Sequence, residues 1–458
     1  MARLLITTLA EYQTRFWRDV GLRLRELGHA PAFLSFDDRS SEMLLAAGLT
    51  VFPATDPSDA AKLSEAELDA LFARFGVTDL NHWLAHERIA FGLHDSKAMR
   101  RKLAAALLAA DAACSAWRAD GPIAMVQELG GFLSVIGSYF AARRQGIDNW
   151  FIEPSFFRGR MFFLKNSFAA IRIDAGGAGM PTPAEVERYL DDTIRTGAIV
   201  VPEKDRHQYT TARKKIVNWR NARRLVEKLV DKHVHGKKQE FGHIGSHVSV
   251  HTRMLLNSHR LRDRYTPLEA CGRYVYYPLH VPGDMALTLR TPHLLDQLAL
   301  IDYLCRAVPA GWHVVIKEHP AMVGAMNAAR LIELLRRYDN LALVAPSTNN
   351  YTVLGGADAI VSINSKSGAE AGLVGKPVLV LGDAFYRDAP FALAVDRLQD
   401  LPARLAAALA DPAAAVPSAG RVRSWFGRVW RQTVPGELYV AEAGNVGAFT
   451  ASLLAATS

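Results

Sequence analysis

Residues 356–386, GADAIVSINSKSGAEAGLVGKPVLVLGDAFY, constrain the fold of this chain more than any other stretch. Residues 357–363 form a short, nearly continuous apolar run, as expected of a strand buried on both faces of a parallel sheet. Asn364, Ser365, Lys366, Ser367 and Gly368 make a small polar turn, and the apolar spacing beyond it predicts a helix ending near Gly375. A second apolar strand, 378–381, follows Lys376-Pro377. Strand, turn, helix and strand make a βαβ unit whose turn lies at the carboxyl end of a strand, where open α/β sheets bind ligands. Unpaired N–H groups at the helix start, with the hydroxyls of Ser365 and Ser367, suit a phosphate, and Glu370 is placed to meet a ribose diol. Ser367-x-x-Glu370 also reads as a capping box that satisfies the helix's own amides. Both readings stand at this point.

A chain of 458 residues exceeds one ordinary hydrophobic core, so two domains are expected. No apolar run reaches the roughly 18 residues needed to cross a bilayer. The opening MARLLITTLAEYQTRFW meets charge too soon for a secretory signal, so a cytoplasmic protein is expected. Cys114, Cys271 and Cys305 are far apart and lack metal-ligand spacing, which favours buried thiols over a zinc site or disulfide. The net charge of +8 favours an anionic partner without choosing among nucleic acid, acidic lipid and a phosphorylated or carboxylated substrate.

Strands are predicted at 4–9, 29–36, 50–52, 123–127 and 149–152, alternating with helices at 12–27, 41–47, 97–116 and 132–145. That alternation predicts a parallel sheet with covering helices. Two successive strands end in carboxylates, Glu128 and Glu153, at one sheet edge. Each is a candidate for acid/base or nucleophilic work, with helix capping or pairing to a neighbour such as Arg158 as the alternative.

Residues 202–264 are dense in Lys, Arg and His, with apolar residues spaced as in amphipathic helices. Such a stretch suits anionic lipid headgroups, or is a solvated helical linker. No nucleic-acid-binding motif accompanies it, and its histidines lack a compact metal spacing, so neither nucleic acid nor metal is expected. A second α/β unit begins at Arg273, with strands at 274–278, 312–316 and 341–344 and helices at 294–307 and 331–338. His280 and Asp284 sit in a turn at its sheet edge; Lys317-Glu318-His319-Pro320 ends another strand, and Pro320 holds His319 extended.

Together PLHVPGD, VVIKEHP and VSINSKSGAEAGLVGKPVLVLGDAFY, in that order, resemble the capsule polysaccharide biosynthesis family, which includes retaining β-Kdo glycosyltransferases. FIEPSFFRG adds a weaker match in the first half. The resemblance implies an α/β GT-B fold, two Rossmann-like domains facing each other across a cleft. Its implied organisation is an acceptor and catalytic domain at 1–200, a basic helical linker region at 201–270, a nucleotide-sugar-binding domain at 271–430 and a helix at 431–458 returning to the first domain. Carried over by position, Lys317, His319 and Pro320 contact the nucleotide of CMP-Kdo, Ser362, Asn364, Ser365 and Ser367 surround the phosphate, and Glu370 takes the ribose. The chain departs from the pattern at His280, where relatives usually have Gln, and at Pro154-Ser155, where many have an acidic residue and glycine.

The implied reaction moves Kdo, or a similar acidic sugar, from a CMP donor to a glycan or glycolipid hydroxyl in bacterial capsule or surface-polysaccharide assembly. No cofactor or metal is expected. Glu153 and Glu128 are the catalytic candidates, with His280, Asp284 and Arg158 as donor-sugar contacts. An anionic membrane surface, met through 202–264 on the inner face of the cytoplasmic membrane, is a further candidate partner. The alternatives are a different nucleotide sugar on the same fold, or a non-catalytic polysaccharide- or membrane-binding protein with a vestigial nucleotide pocket.

Overall fold

The apolar runs that alternate with amphipathic helices assemble into two sheets. The computed structural model describes residues 1–174, 180–199 and 219–457. In the first half, β1 (Arg3–Thr8), β2 (Ala30–Ser35), β3 (Thr50–Pro53), β4 (Ala124–Glu128), β5 (Asp148–Pro154) and β6 (Arg160–Lys165) form one sheet. In the second half, β7 (Tyr274–Pro278), β8 (His313–Lys317), β9 (Leu341–Val344), β10 (Ala359–Ser362), β11 (Val378–Val380) and β12 (Ala392–Ala394) form the other. A last short strand, β13 (Val434–Pro435), returns to the first sheet. The sheet orders are β13-β6-β5-β4-β1-β2-β3 and β12-β11-β10-β7-β8-β9. All pairings are parallel except those of β6 with β5 and β13.

Strands β7, β9, β10 and β11 of the second sheet are buried along their whole length, which explains their almost wholly apolar composition. Two such halves facing across a cleft make the GT-B arrangement. The β5–β6 hairpin was not expected from the sequence; Gly159, in the left-handed region at φ 68°, turns the chain there. Helix 294–307 starts later than its apolar spacing suggests: Pro292 opens a separate turn, and Asp296 caps the helix Gln297–Ala307 by accepting from Ala299 N–H.

After β13 the helix Ala443–Thr457 packs on the helix Glu11–Glu26, with Phe449 edge-on to Phe16 at 5.0 Å and to Trp17 at 5.6 Å between ring centres. One buried cluster is continuous across the two halves, joining Phe156 and Phe157 to Phe391, Trp425 and Phe426. Residues 200–218 of the basic stretch lie outside the described residues. Its remainder forms the helices Trp219–His233 and Ile244–Leu261, and these are anchored to both halves. Arg39 pairs with buried Asp231, and Lys102 pairs with both Glu87 and Glu240. Asn257 donates to the carbonyls of Gly324 and Met326 in the second half.

Candidate functional site

The carboxyl ends of β5, β7, β8 and β10 converge on a cavity of about 630 Å³ between the halves. From the second half its wall takes His280, Asp284, Lys317, His319, Pro320, Asn364, Ser365, Ser367 and Glu370; from the first it takes Glu153 and Pro154. This is the position at which open α/β sheets bind ligands, because helix amino ends and strand-end loops point there.

Ser365 is the N-cap of the helix Lys366–Leu373, and its hydroxyl accepts from Ser367 N–H. The structure therefore settles the cap on Ser365, and Glu370 reaches elsewhere: its Oε2 accepts from Asn350 Nδ2 at 2.6 Å. A side chain at Gly368 would place Cβ 2.3 Å from the Tyr386 hydroxyl, so only glycine lets the turn pack against that ring.

Lys317 Nζ is buried and donates to the Thr348 carbonyl at 2.9 Å. Burial, opposed by nearby Glu370, pushes its pKa down to about 8. Glu318 turns the other way and accepts from the Tyr265 hydroxyl and Gly324 N–H. His319 caps the turn Pro320–Met322, Nδ1 accepting from Ala321 N–H at 3.2 Å, which fixes how the ring stands at the cavity. His280 is buried, and burial pushes its pKa down to about 4, so the ring is neutral at pH 7. Its Nε2 accepts from Asn364 N–H at 3.5 Å. Asn364 Nδ2 donates to Thr291 Oγ1 at 3.2 Å, while its Oδ1 is buried and finds no partner among the described residues. Asp284 caps the short helix Met285–Thr288.

Three expected site residues stand outside the wall. Glu128 accepts from Gln13 Nε2 and from the hydroxyl of Tyr439, so it anchors the returning carboxyl-terminal segment. Ser362 is buried, with its hydroxyl bonded to Tyr386 and accepting from Ser365 N–H. Arg158 donates to the Ile199 carbonyl. It is not the partner of Glu153; that role belongs to Arg290, whose Nη1 and Nη2 each donate to a Glu153 oxygen at 2.9 Å.

Arg290 and Asn350 are wall residues that the sequence reading missed. Nothing local marks Arg290, whose partner lies 137 residues away. The Asn349-Asn350 pair carries a recognisable helix-start signal, since Asn349 is the N-cap of Asn350–Gly356, but nothing of how Asn350 bridges Tyr276 on β7 and Glu370 on the helix Lys366–Leu373.

The family described as capsule polysaccharide biosynthesis protein matches residues 137–391, more than half of the 458. The chain belongs to this family. The matched span contains every wall residue named above. Protein FixF of Sinorhizobium fredii is 31% identical over 127 residues, which are 27% of this chain and 30% of that protein, so the match spans under a third of FixF. The β-Kdo 2,7 transferase of KpsC from Thermosulfurimonas dismutans is 14% identical, covering 87% of this chain and 98% of its own at a TM-score of 0.37. The calicheamicin glycosyltransferase CalG4 is also 14% identical, covering 99% and 98% at a TM-score of 0.33.

Proposed function

We propose that this member of the family is a glycosyltransferase that moves Kdo, or a similar acidic sugar, from a CMP donor to a glycan or glycolipid hydroxyl. The observation that carries the reading is the meeting of Lys317, His319, the Ser365–Ser367 helix start and Glu370 on one cavity wall. The hydroxyls of Ser365 and Ser367, with Lys317 and His319, then stabilise the charge that gathers on CMP as the glycosidic bond breaks, without a metal. Glu370 takes the ribose.

Glu153 is the proposed nucleophile or acid/base of a retaining reaction. Both its oxygens are engaged by Arg290, so its direct role begins with that pair parting as the lobes move. Pro154, beside it on the cavity wall, carries no acid, so Glu153 is the carboxylate that this strand end offers to the chemistry. Glu128 has no part in this scheme.

The helix Trp219–His233 leaves Val226, Leu229 and Val230 exposed beside Arg223 and Lys232, a pattern suited to an anionic bilayer surface on the cytoplasmic side. No described helix is long and apolar enough to cross a membrane. Co-sedimentation with phosphatidylglycerol vesicles but not phosphatidylcholine vesicles is expected; equal recovery with both removes the surface contact.

Incubating the protein with CMP-Kdo and candidate glycan or glycolipid acceptors tests the reaction. CMP release with transfer of the sugar supports it. Transfer from another nucleotide sugar alone replaces the donor, and none from any donor leaves only a binding protein.

A further inference from the structure

A glutamate at a pocket wall recognises a ribose diol only if its carboxylate is held towards the ligand, because an unrestrained side chain spreads over many rotamers. Asn350 provides that restraint. Its Nδ2 donates to Glu370 Oε2 at 2.6 Å and to Ser367 Oγ at 3.1 Å, and its Oδ1 accepts from the hydroxyl of Tyr276 at 3.0 Å. Reversing the amide would set Oδ1 against the Glu370 carboxylate, so the contacts allow one orientation. Tyr276 is wholly buried on β7, and burial raises its pKa far above neutrality, so it remains a donor. The Asn350 backbone is fixed as well: it opens the helix Asn350–Gly356, whose cap, Asn349, accepts from Tyr351 N–H at 2.8 Å. Tyr276, Asn350, Ser367 and Glu370 all line the one cavity.

We propose that Asn350, oriented by Tyr276, is a positioning residue that aims Glu370 at the ribose and so sets the preference of the pocket for a ribonucleotide over its 2′-deoxy counterpart. This rests on the nucleotide reading of the cavity. It assigns specificity to two residues that touch no part of the reacting bond.

The test is calorimetric titration of the full chain with CMP and with 2′-deoxyCMP. The wild-type protein should prefer CMP by about tenfold or more, the expected size of a hydrogen bond to a charged group. In Asn350→Ala the preference should shrink to within about twofold, through weaker CMP binding with 2′-deoxyCMP affinity little changed. Tyr276→Phe, nearly isosteric and less exposed to misfolding, should lose at least about threefold of the preference. Equal weakening of both nucleotides in Asn350→Ala, or an intact preference in either variant, overturns the proposal. A wild-type protein that binds both nucleotides equally removes the diol contact and this inference while leaving the nucleotide site standing. One that binds neither removes both.

Discussion

Arg290 and Glu153 join the two halves across the cleft through two parallel hydrogen bonds of 2.9 Å, and Arg290 Nε is held at the same time by the Phe168 carbonyl at 2.7 Å. Fork-to-fork pairing of this kind is the strongest arrangement open to a guanidinium and a carboxylate. The guanidinium side chain is only 6% exposed, so removing its partner leaves a nearly buried charge.

Glu153→Gln should therefore do two separable things. Sugar transfer should fall by about a hundredfold or more, the scale of losing a positioned acid/base group. Urea denaturation should show a loss of roughly 2–4 kcal/mol, with CMP affinity retained. Full transfer activity in this variant removes Glu153 from the chemistry.

The pH dependence follows from Lys317. Its pKa, pushed down to about 8 by burial, lies below the ordinary lysine value of 10.5. Between these values the folded chain holds fewer protons than the unfolded one, so this group makes the empty protein more stable as pH rises from about 8 to 10.5. Nucleotide binding has the opposite sign, because the phosphate needs the ammonium. Affinity for CMP should drop as pH climbs through about 8, and Lys317→Met should flatten that step. A step of the same size in the variant assigns it to another group.

Lys102 lies between two buried carboxylates, Glu87 and Glu240, at 2.9 Å from each. Lys102→Met strands both, and an equilibrium denaturation curve should show a loss of about 3–5 kcal/mol. Hydrogen exchange should quicken around Glu240, since this pair ties that segment to the first half. A change under about 1 kcal/mol would mean that the site relaxes or admits water.

Gly368→Ala drives a methyl into the Tyr386 hydroxyl, which in turn holds Ser362 and the Ser365 carbonyl. The expected cost is roughly 1–3 kcal/mol of stability together with weaker CMP binding, because the helix start itself is displaced. Thermal melts and titration of the same preparation check both effects.

The second sheet was legible because strands buried on both faces must be apolar throughout; Leu341–Val344 reads as a strand from composition alone and is one. A helix after β10 was equally plain, but its start was not: it begins at Lys366 behind the Ser365 cap, inside the stretch that reads as a turn. The face a residue shows at a strand's end was not legible. Glu128 and Glu153 look alike in sequence, yet one is claimed by Tyr439 from the far end of the chain and the other meets Arg290 in the cleft. Ser362 looks like its serine neighbours until the ring of Tyr386 covers it. Asn350 gave the signal of a helix start, and its role depends on strands and helices that only the folded chain brings beside it.

The central claim is that a cytidylate rests against the Lys317–His319 strand tip and the Ser365–Glu370 helix. Calorimetric titration of the wild-type chain and of His319→Ala with CMP, beside UMP and ADP, tests it most directly. The account predicts that CMP binds more tightly than the other two and that His319→Ala weakens CMP by about tenfold. No heat of binding with CMP, or the same affinity in His319→Ala as in the wild type, would contradict it.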